Sequence, residues 1–268
     1  MSLTGVLLER HRIRLSGADS VAFLQGQVSG DLRGLSETSV LDTLFLNPRG
    51  QIELAAELVR RPEEIWLLVQ EPYAQALAAR LRRYIVFDQV EVGPAEPLRV
   101  LHLLGPEWPE GFSGALEHDR YGLGGHDLIG VPEDPSLGGR VELAEAAALE
   151  RQRIRAGRPD PASDQLLGRL PQECGLGHWV ARGKGCYVGQ EIMARLEARG
   201  QVRHRLARLQ ALGPQLRGRA EVRRDGKVVG WCGASDGGEA LASLRSELAA
   251  DDLVEVEGQA ARVAEVLG

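Results

Sequence analysis

The 268-residue sequence is poor in several residue types. It has three cysteines, two lysines among its 32 basic residues, and only 4% aromatic residues. The number of cysteines is odd, and Cys174, Cys186 and Cys232 form no CxxC pair. This pattern predicts reduced thiols rather than a disulfide framework. Cys174, His178 and Cys186 match no standard zinc spacing, and a fourth ligand is missing nearby, so we predict no metal site.

Long apolar runs are missing as well. No stretch reaches the ~18 apolar residues of a membrane span, and the charges of Glu9, Arg10 and Arg12 interrupt any signal pattern near the N-terminus. We therefore expect a cytoplasmic protein without a membrane partner, and we expect a monomer. The P-loop, the Rossmann glycine fingerprint and HExxH are absent too, so the sequence gives no sign of those nucleotide-binding or zinc-protease classes.

The charge is unevenly distributed along the chain. The net charge of −6 argues against nucleic-acid binding by the whole surface. Between Arg195 and Lys227, however, ten basic residues face three acidic ones, an excess that could attract a polyanion. Alternating arginines are also typical of the solvated face of a sheet, and the interleaved aromatics of single-strand binders are absent. Direct nucleic-acid binding is therefore doubtful.

The most informative segment is the octet Lys184-Gly185-Cys186-Tyr187-Val188-Gly189-Gln190-Glu191. Its flanking glycines leave the thiol on backbone that a ligand can approach closely. Apolar residues at helical spacing predict a helix over 190–199 that Gly200 ends. The helix dipole and the Lys184 ammonium would both favour the thiolate of Cys186. We predict Cys186 and Lys184 as catalytic groups, against the alternative of a space-filling buried cysteine.

The remaining patterns predict an α+β protein with a small C-terminal barrel. Asn47-Pro48-Arg49-Gly50 is typical of a hairpin turn. The segment from 160 to 183 is a long loop, which usually lines or covers a site. The predicted strands are 12–15, 40–46, 51–60, 65–69, 85–92, 98–104 and several short ones after Val202, and the predicted helices are a short one through Phe23 and Leu24, 72–84 and 141–156.

These motifs resemble a known family. Leu15-Ser16-Gly17-Ala18-Asp19 with Phe23-Leu24-Gln25-Gly26-Gln27 is similar to the opening motif of the YgfZ-type folate-binding proteins, relatives of the aminomethyltransferase (T-protein) of glycine cleavage. Leu46 to Gly50 resembles the family hairpin, and Lys184 to Glu191 with Ala194-Arg195 resembles its signature. The resemblance covers nearly the whole chain.

The resemblance implies a three-part ring around a central channel. Its parts would be a discontinuous folate-binding domain (1–39 and 105–199), an α+β middle domain (40–104) and a C-terminal β-barrel (200–268). The implied function is support of the assembly or repair of iron–sulfur enzymes, including one that modifies tRNA, with tetrahydrofolate as ligand. Folate and the iron–sulfur client enzymes would be the partners.

The implied site residues surround the signature cysteine. Besides Cys186 and Lys184, they would be the ligand-binding residues Gly185, Tyr187, Gly189, Gln190, Glu191, Arg195 and Arg155. Two departures from the wider family matter. Aminomethyltransferases carry an acid where Cys186 stands and a Lys-Asp pair where this chain has Gln70-Glu71, so we do not expect aminomethyl transfer.

The second departure concerns the pterin contact. Relatives often have a glutamate at the position of Arg155, and it pairs with the aminopyrimidine edge of the pterin. A carboxylate accepts two parallel N–H bonds from that edge, whereas a guanidinium only donates. Another acceptor, such as Asp160 or Glu173, would have to replace it.

Two alternatives remain open at this point. One is a tetrahydrofolate-dependent one-carbon transferase, for which Asp19, Asp31 and Glu53 are candidate acids or bases. The other is an interaction protein that docks a partner through the basic face of its barrel and binds no folate.

Overall fold

The computed structural model describes residues 3–200 and 202–267, and its description of Ala146 and Arg199 is confined to the backbone. The chain forms two compact units. The first comprises residues 1–46, 54–145 and 181–188, and the second comprises 47–53, 146–180 and 189–268. None of the helices in the described part of the chain combines the length and apolar character that crossing a membrane requires. The division into three domains stays a prediction.

The described residues form fourteen strands and four α-helices. In chain order they are β1 Leu3–Ser16, α1 Ser20–Gln27, β2 Val40–Leu46, β3 Ile52–Arg60, β4 Glu64–Val69, α2 Ala74–Tyr84, β5 Glu91–Leu104, β6 Leu116–Glu117, β7 Gly125–Ile129, β8 Val141–Leu143, α3 Ala146–Arg155, α4 Gln190–Arg199, β9 His204–Ala211, β10 Ala220–Arg224, β11 Lys227–Ser235, β12 Glu239–Arg245, β13 Leu253–Val256 and β14 Gln259–Val266. Short 3-10 turns occupy Leu32–Gly34, Pro171–Cys174 and Gly177–Trp179.

The first unit is built on an eight-stranded sheet. Its order is β2-β3-β4-β1-β5-β7-β6, and β8 pairs with β1 off this path. The long β1 pairs with β4 on one side and with β5 on the other, so it forms the centre of the sheet. Ile13 and Leu15 of β1 are fully buried and join Leu77 and Leu81, which lie one turn apart on α2, in one core.

The C-terminal strands of the second unit form a closed barrel. Its strand order is β10-β11-β12-β9-β14-β13. Valines that alternate along the strands fill the interior, among them Val254 and Val256 of β13, because side chains of a strand point alternately in and out. The predicted C-terminal barrel and the predicted α+β class are confirmed.

The predicted strand over 85–92 is wrong. Residues 85–90 form a connection, and Gln89 donates its N–H to Asp19 Oδ2 at 2.7 Å. The strand begins at Glu91 and continues through two prolines to Leu104. The pairing with β1 shifts between Ile13 and Leu15, a bulge that accommodates a segment including Pro94, so proline did not end the strand as the sequence pattern suggests.

The helix predicted over 141–156 begins later than expected. Val141–Leu143 pairs in parallel with Leu3–Gly5 of β1, and α3 starts only at Ala146. Pairing with a distant strand has therefore overridden the local helix preference of this segment.

Candidate functional site

Cys186 lies on an exposed loop of the first unit. We call residues 181–188 the Cys186 loop. The thiol residue is exposed, and Gly185 before it has a φ of +99°, a conformation that favours glycine. A Cβ built at Gly185 would meet no heavy atom within 4 Å. The thiol therefore stands on open backbone, as the flanking glycines predict.

Main-chain hydrogen bonds hold both ends of the Cys186 loop. They run to the end of α1 and the turn after it, which we call the 25–33 segment. Ala181 N donates to Ser29 O at 2.9 Å, and Val188 N donates to Gly26 O at 3.3 Å. The loop is thus attached before and after the cysteine, and the cysteine projects between the attachments.

Lys184 lies in the interior rather than at the surface. It is only 5% exposed, and its Nζ donates to Val28 O at 2.7 Å and to Gly30 O at 2.5 Å. The ring of Tyr187 lies 5.1 Å from the same ammonium. Burial lowers the pKa of Lys184 to about 8, because the loss of hydration outweighs the attraction of the Asp31 carboxylate. The ammonium thus contacts backbone carbonyls of the 25–33 segment, and its predicted catalytic role stays a prediction.

A second set of side chains holds the start of the Cys186 loop. Arg33 donates from Nε and Nη2 to Asp31 at 3.0 and 2.6 Å, and the hydrogen bond keeps the pKa of Asp31 well below its usual range. The same Arg33 Nη2 reaches Gly183 O at 3.2 Å. Gln25 Nε2 donates to Asp31 Oδ1 at 2.9 Å and to Lys184 O at 3.1 Å.

The other two thiols have a different environment. Cys174 and Cys232 are both buried, and burial raises the pKa of each to about 12. A buried thiol that stays protonated is a poor nucleophile and a poor ligand. Of the three cysteines, all within the described residues, Cys186 alone is exposed.

The rest of the octet belongs to the second unit. Gly189 has a φ of +88° and precedes the first residue of α4. Gln190 is half-buried and Glu191 is exposed in the first turn of that helix, and Arg195 is exposed one turn later. The predicted helix over 190–199 and its end at Gly200 are confirmed.

Comparisons with known proteins show what the chain is similar to. Residues 203–266 match the description "CAF17, C-terminal beta-barrel domain". The chain is 28% identical to the tRNA-modifying protein YgfZ of Edwardsiella ictaluri over 92% of this chain and 86% of that protein. It superposes on the glycine cleavage system aminomethyltransferase T of Bartonella henselae with a TM-score of 0.78, at 20% identity, covering 98% of this chain and 86% of that one. The chain is thus similar to the YgfZ-type proteins and shares the fold of the aminomethyltransferase.

A chloroplastic protein of Arabidopsis thaliana, provisionally named a transferase, is 30% identical over 85% of this chain. The chain spans 60% of the length of that relative. The YgfZ-type resemblance of the sequence and the aminomethyltransferase fold are therefore both confirmed.

Arg155 lies in the second unit, at the end of α3. Its guanidinium is 60% exposed, and Nε donates to Glu239 Oε2 of the barrel at 3.0 Å. The side chain lines an open groove of about 600 Å³ with Arg151, Arg208 and Asp236. Arg151 pairs with Asp236 at 3.2 Å, and Arg208 pairs with Glu265, so much of the positive charge here is neutralised.

The two acceptors considered in place of a glutamate have other partners. Asp160 Oδ1 accepts from the backbone N–H groups of Ala162 and Ser163 at 3.1 and 2.6 Å. Glu173 Oε1 accepts from Arg203 N at 3.2 Å. The carboxylate beside Arg155 is Glu239, which the sequence patterns did not single out.

A buried ionic cluster in the first unit also went unpredicted. Asp127 accepts from His102 Nδ1 and His118 Nδ1, both at 2.8 Å, and from Arg120. Arg120 also donates twice to Glu57, each time at 2.6 Å. The only sequence signal is a group of His, Arg and Asp residues in a glycine-rich region. We call these five residues the Asp127 cluster.

The Asp127 cluster contains a potential metal-ligand set. Ligand atoms of Glu57, His118 and Asp127 lie within 4.8 Å of one another. The guanidinium of Arg120 bonds both carboxylates, and His118 Nε2 lies 3.0 Å from Asp42 Oδ2. These groups already neutralise one another, so the cluster is an ion-pair network of the sheet.

Proposed function

We propose that this YgfZ-type chain supports the assembly or repair of iron–sulfur enzymes, including one that modifies tRNA, and that it acts through Cys186. Relatives carry the name tRNA-modifying protein, and the octet resembles the signature of their family. The client enzymes would be its protein partners. The cytoplasmic location stays a prediction, and the Arabidopsis relative is named as chloroplastic.

The exposure of Cys186 on a doubly attached loop is the observation that carries the proposal. A thiolate there can act as a nucleophile or as a soft ligand to iron, because both roles need access and the deprotonated form. The attachments to the 25–33 segment hold the thiol in place while it stays open to a partner. The two buried thiols lack this access.

Tetrahydrofolate, the ligand that the resemblance implies, does not fit the residue at position 155. Arg155 offers only donors to a pterin edge that is itself rich in donors. The three carboxylates that are buried in the described part of the chain, Glu57, Asp127 and Asp164, each accept from an arginine. We propose that folate binds more weakly here than in relatives with a glutamate at this position, and we assign no chemical step to it.

A rescue experiment tests the role of Cys186. The gene is deleted, and plasmids then supply the wild type, Cys186→Ser or Cys232→Ala, the last as a control at a buried thiol. We expect iron–sulfur enzyme activity and the tRNA modification to fall on deletion. Wild type and Cys232→Ala should restore them, and Cys186→Ser should not. Full rescue by Cys186→Ser, or unchanged activities after deletion, would show the proposed function to be wrong.

Calorimetric titration tests the folate proposal. Reduced folates are added to the wild type and to Arg155→Glu, which restores the acceptor. We expect binding at least about tenfold tighter in the variant, the size of one charge-assisted bidentate contact. Equal or weaker binding would mean that Arg155 does not set the affinity. One-carbon transfer from a reduced folate, assayed in parallel, would support the transferase alternative.

A further inference from the structure

We propose that Gln25 is a positioning residue that fixes the peptide before Cys186 and so sets the direction in which the thiol points. The inference rests on the proposed function of Cys186. Gln25 lies near the end of α1 and is half-buried beside the Cys186 loop. Its place in the opening motif is not explained by packing in the core, since the core side chains of α1 include Phe23 and Leu24.

The side-chain amide of Gln25 has matched partners on both of its atoms. Nε2 donates to Asp31 Oδ1 at 2.9 Å and to Lys184 O at 3.1 Å, and Oε1 accepts from Leu32 N at 2.9 Å. An amide nitrogen has two hydrogens, and both are used on acceptors. Turning the amide over would place its oxygen against a carboxylate and a carbonyl. The partners therefore fix one orientation, and only an amide satisfies it.

The bond to Lys184 O is important because of the residue that follows. Gly185 has a φ of +99°, and a Cβ at this position would meet nothing within 4 Å. Gly185 itself therefore brings no side-chain contact that restricts the peptide it shares with Lys184. Glycine can exchange readily between backbone conformations. The hydrogen bond from Gln25 holds this peptide in one of them, immediately before the cysteine.

Asp31 links Gln25 to the other support of the loop. The same carboxylate that accepts from Gln25 also binds the guanidinium of Arg33, which reaches Gly183 O. Two consecutive carbonyls of the Cys186 loop, those of Gly183 and Lys184, are therefore held through one carboxylate. Arg33 is 65% exposed, so these bonds serve a surface loop rather than the folding core.

Substitution with an isosteric acid tests the proposal. Gln25→Glu keeps the volume and the acceptor for Leu32 N but places a carboxylate against Asp31 and Lys184 O. Gln25→Met is a second variant that removes the polar contacts without adding charge. Gln259→Glu in the barrel is the matched control, because the bond that the Gln259 side chain makes to the described residues uses its oxygen, which accepts from Arg217 N. All are compared as full-length proteins.

Two local measurements are made alongside a urea midpoint. Hydrogen–deuterium exchange follows the amides of residues 183–188, and iodoacetamide measures the alkylation rate of Cys186 across pH. In both Gln25 variants we expect exchange about tenfold faster in this segment, the effect of losing roughly one hydrogen bond. We expect alkylation about threefold faster because the thiol loses its fixed orientation. Gln259→Glu should match the wild type in both.

The outcomes separate this proposal from the proposed function. If exchange over 183–188 and the alkylation profile stay at wild-type values in both folded Gln25 variants, Gln25 does not position the loop, whatever Cys186 does in cells. If both change while Cys186→Ser still rescues the deletion, the positioning role holds and the proposed function fails.

Discussion

The first unit buries cationic side chains in two opposite ways. In the Asp127 cluster, Arg120 and His118 lie against carboxylates, and Arg120 alone makes four hydrogen bonds to two of them. Beneath the Cys186 loop, the ammonium of Lys184 lies against the carbonyls of Val28 and Gly30. One group has its charge matched by opposite charges, and the other is held by dipoles.

The pKa values show what this difference means. Burial and the charge of Arg120 both lower the pKa of His118. The charges of Asp42 and Asp127 outweigh them and raise the pKa to about 9. For Lys184, burial prevails over the more distant Asp31 and lowers the pKa to about 8. Opposite charges offset the desolvation cost of a buried cation, whereas the lowered pKa of Lys184 shows that its desolvation is not fully offset. Such a cost is more common at functional sites than in a scaffold.

Removing Arg120 should have the largest effect on stability. Arg120→Met would leave Glu57 and Asp127 as buried carboxylates without their main counter-charge. We expect the free energy of unfolding to fall by about 3–5 kcal/mol, measured by urea denaturation. Arg262→Met is the control, because its pair with Asp251 is largely exposed and worth under about 1 kcal/mol. Similar small losses in both variants would remove the contrast with the Cys186 loop.

The next largest effect should be the pH dependence of stability that His118 causes. Both of its ring nitrogens lie within 3.0 Å of carboxylate oxygens, so both carry protons in the folded state. Because folding raises the pKa from 6.5 to about 9, the stabilisation is full below pH 6.5 and is lost as the pH rises to 9.

The comparison of wild type with His118→Gln isolates this contribution. Their difference in unfolding free energy should shrink by on the order of 2–3 kcal/mol between pH 6 and pH 9.5. Urea denaturation across this range measures it. A difference that is independent of pH would show that His118 is not held as a cation.

Lys184 should make stability depend on pH with the opposite sign to His118 and with a smaller net effect. Its pKa is about 8 when folded against 10.5 as the ordinary value, so the unfolded chain binds more protons between these limits. Wild-type stability relative to Lys184→Met should therefore rise with pH from 8 to 10.5, by roughly 2 kcal/mol. At pH 7 the substitution should cost only about 1–2 kcal/mol, because two buried carbonyls lose a donor. A falling difference over this range would contradict burial of the ammonium.

Local patterns predicted the elements that depend on neighbouring residues. The helix over 190–199 with Gly200 after it, the hairpin around Asn47 to Gly50 and the C-terminal strands all follow from spacing and turn residues. The strand at Val141 and the connection at Gln89 do not, because the first pairs with β1 and the second donates a hydrogen bond to Asp19. Such partners are distant in the sequence, so local preference cannot reveal them.

For the candidate site too, local sequence patterns predicted some features and missed others. Glycines around Cys186 predicted an accessible thiol, and the structure confirms its exposure. The burial of the Lys184 ammonium could not be predicted from its position two residues before the thiol, since the carbonyls that hold it come from residues 28 and 30. Gln25 and Asp31 were likewise invisible as supports of the loop. Contacts of this kind require the fold to be known first.

The protonation of Lys184 is the most direct test of the account, because the chain has only two lysines. A protein labelled with ¹³C at the lysine ε carbon should give two signals, and Lys184→Arg assigns one of them. We predict that the Lys184 signal titrates near pH 8, as a buried ammonium held by carbonyls should. A titration at or above the ordinary value of 10.5 would mean that the ammonium is exposed or paired with a carboxylate, and the contrast with the Asp127 cluster would be wrong.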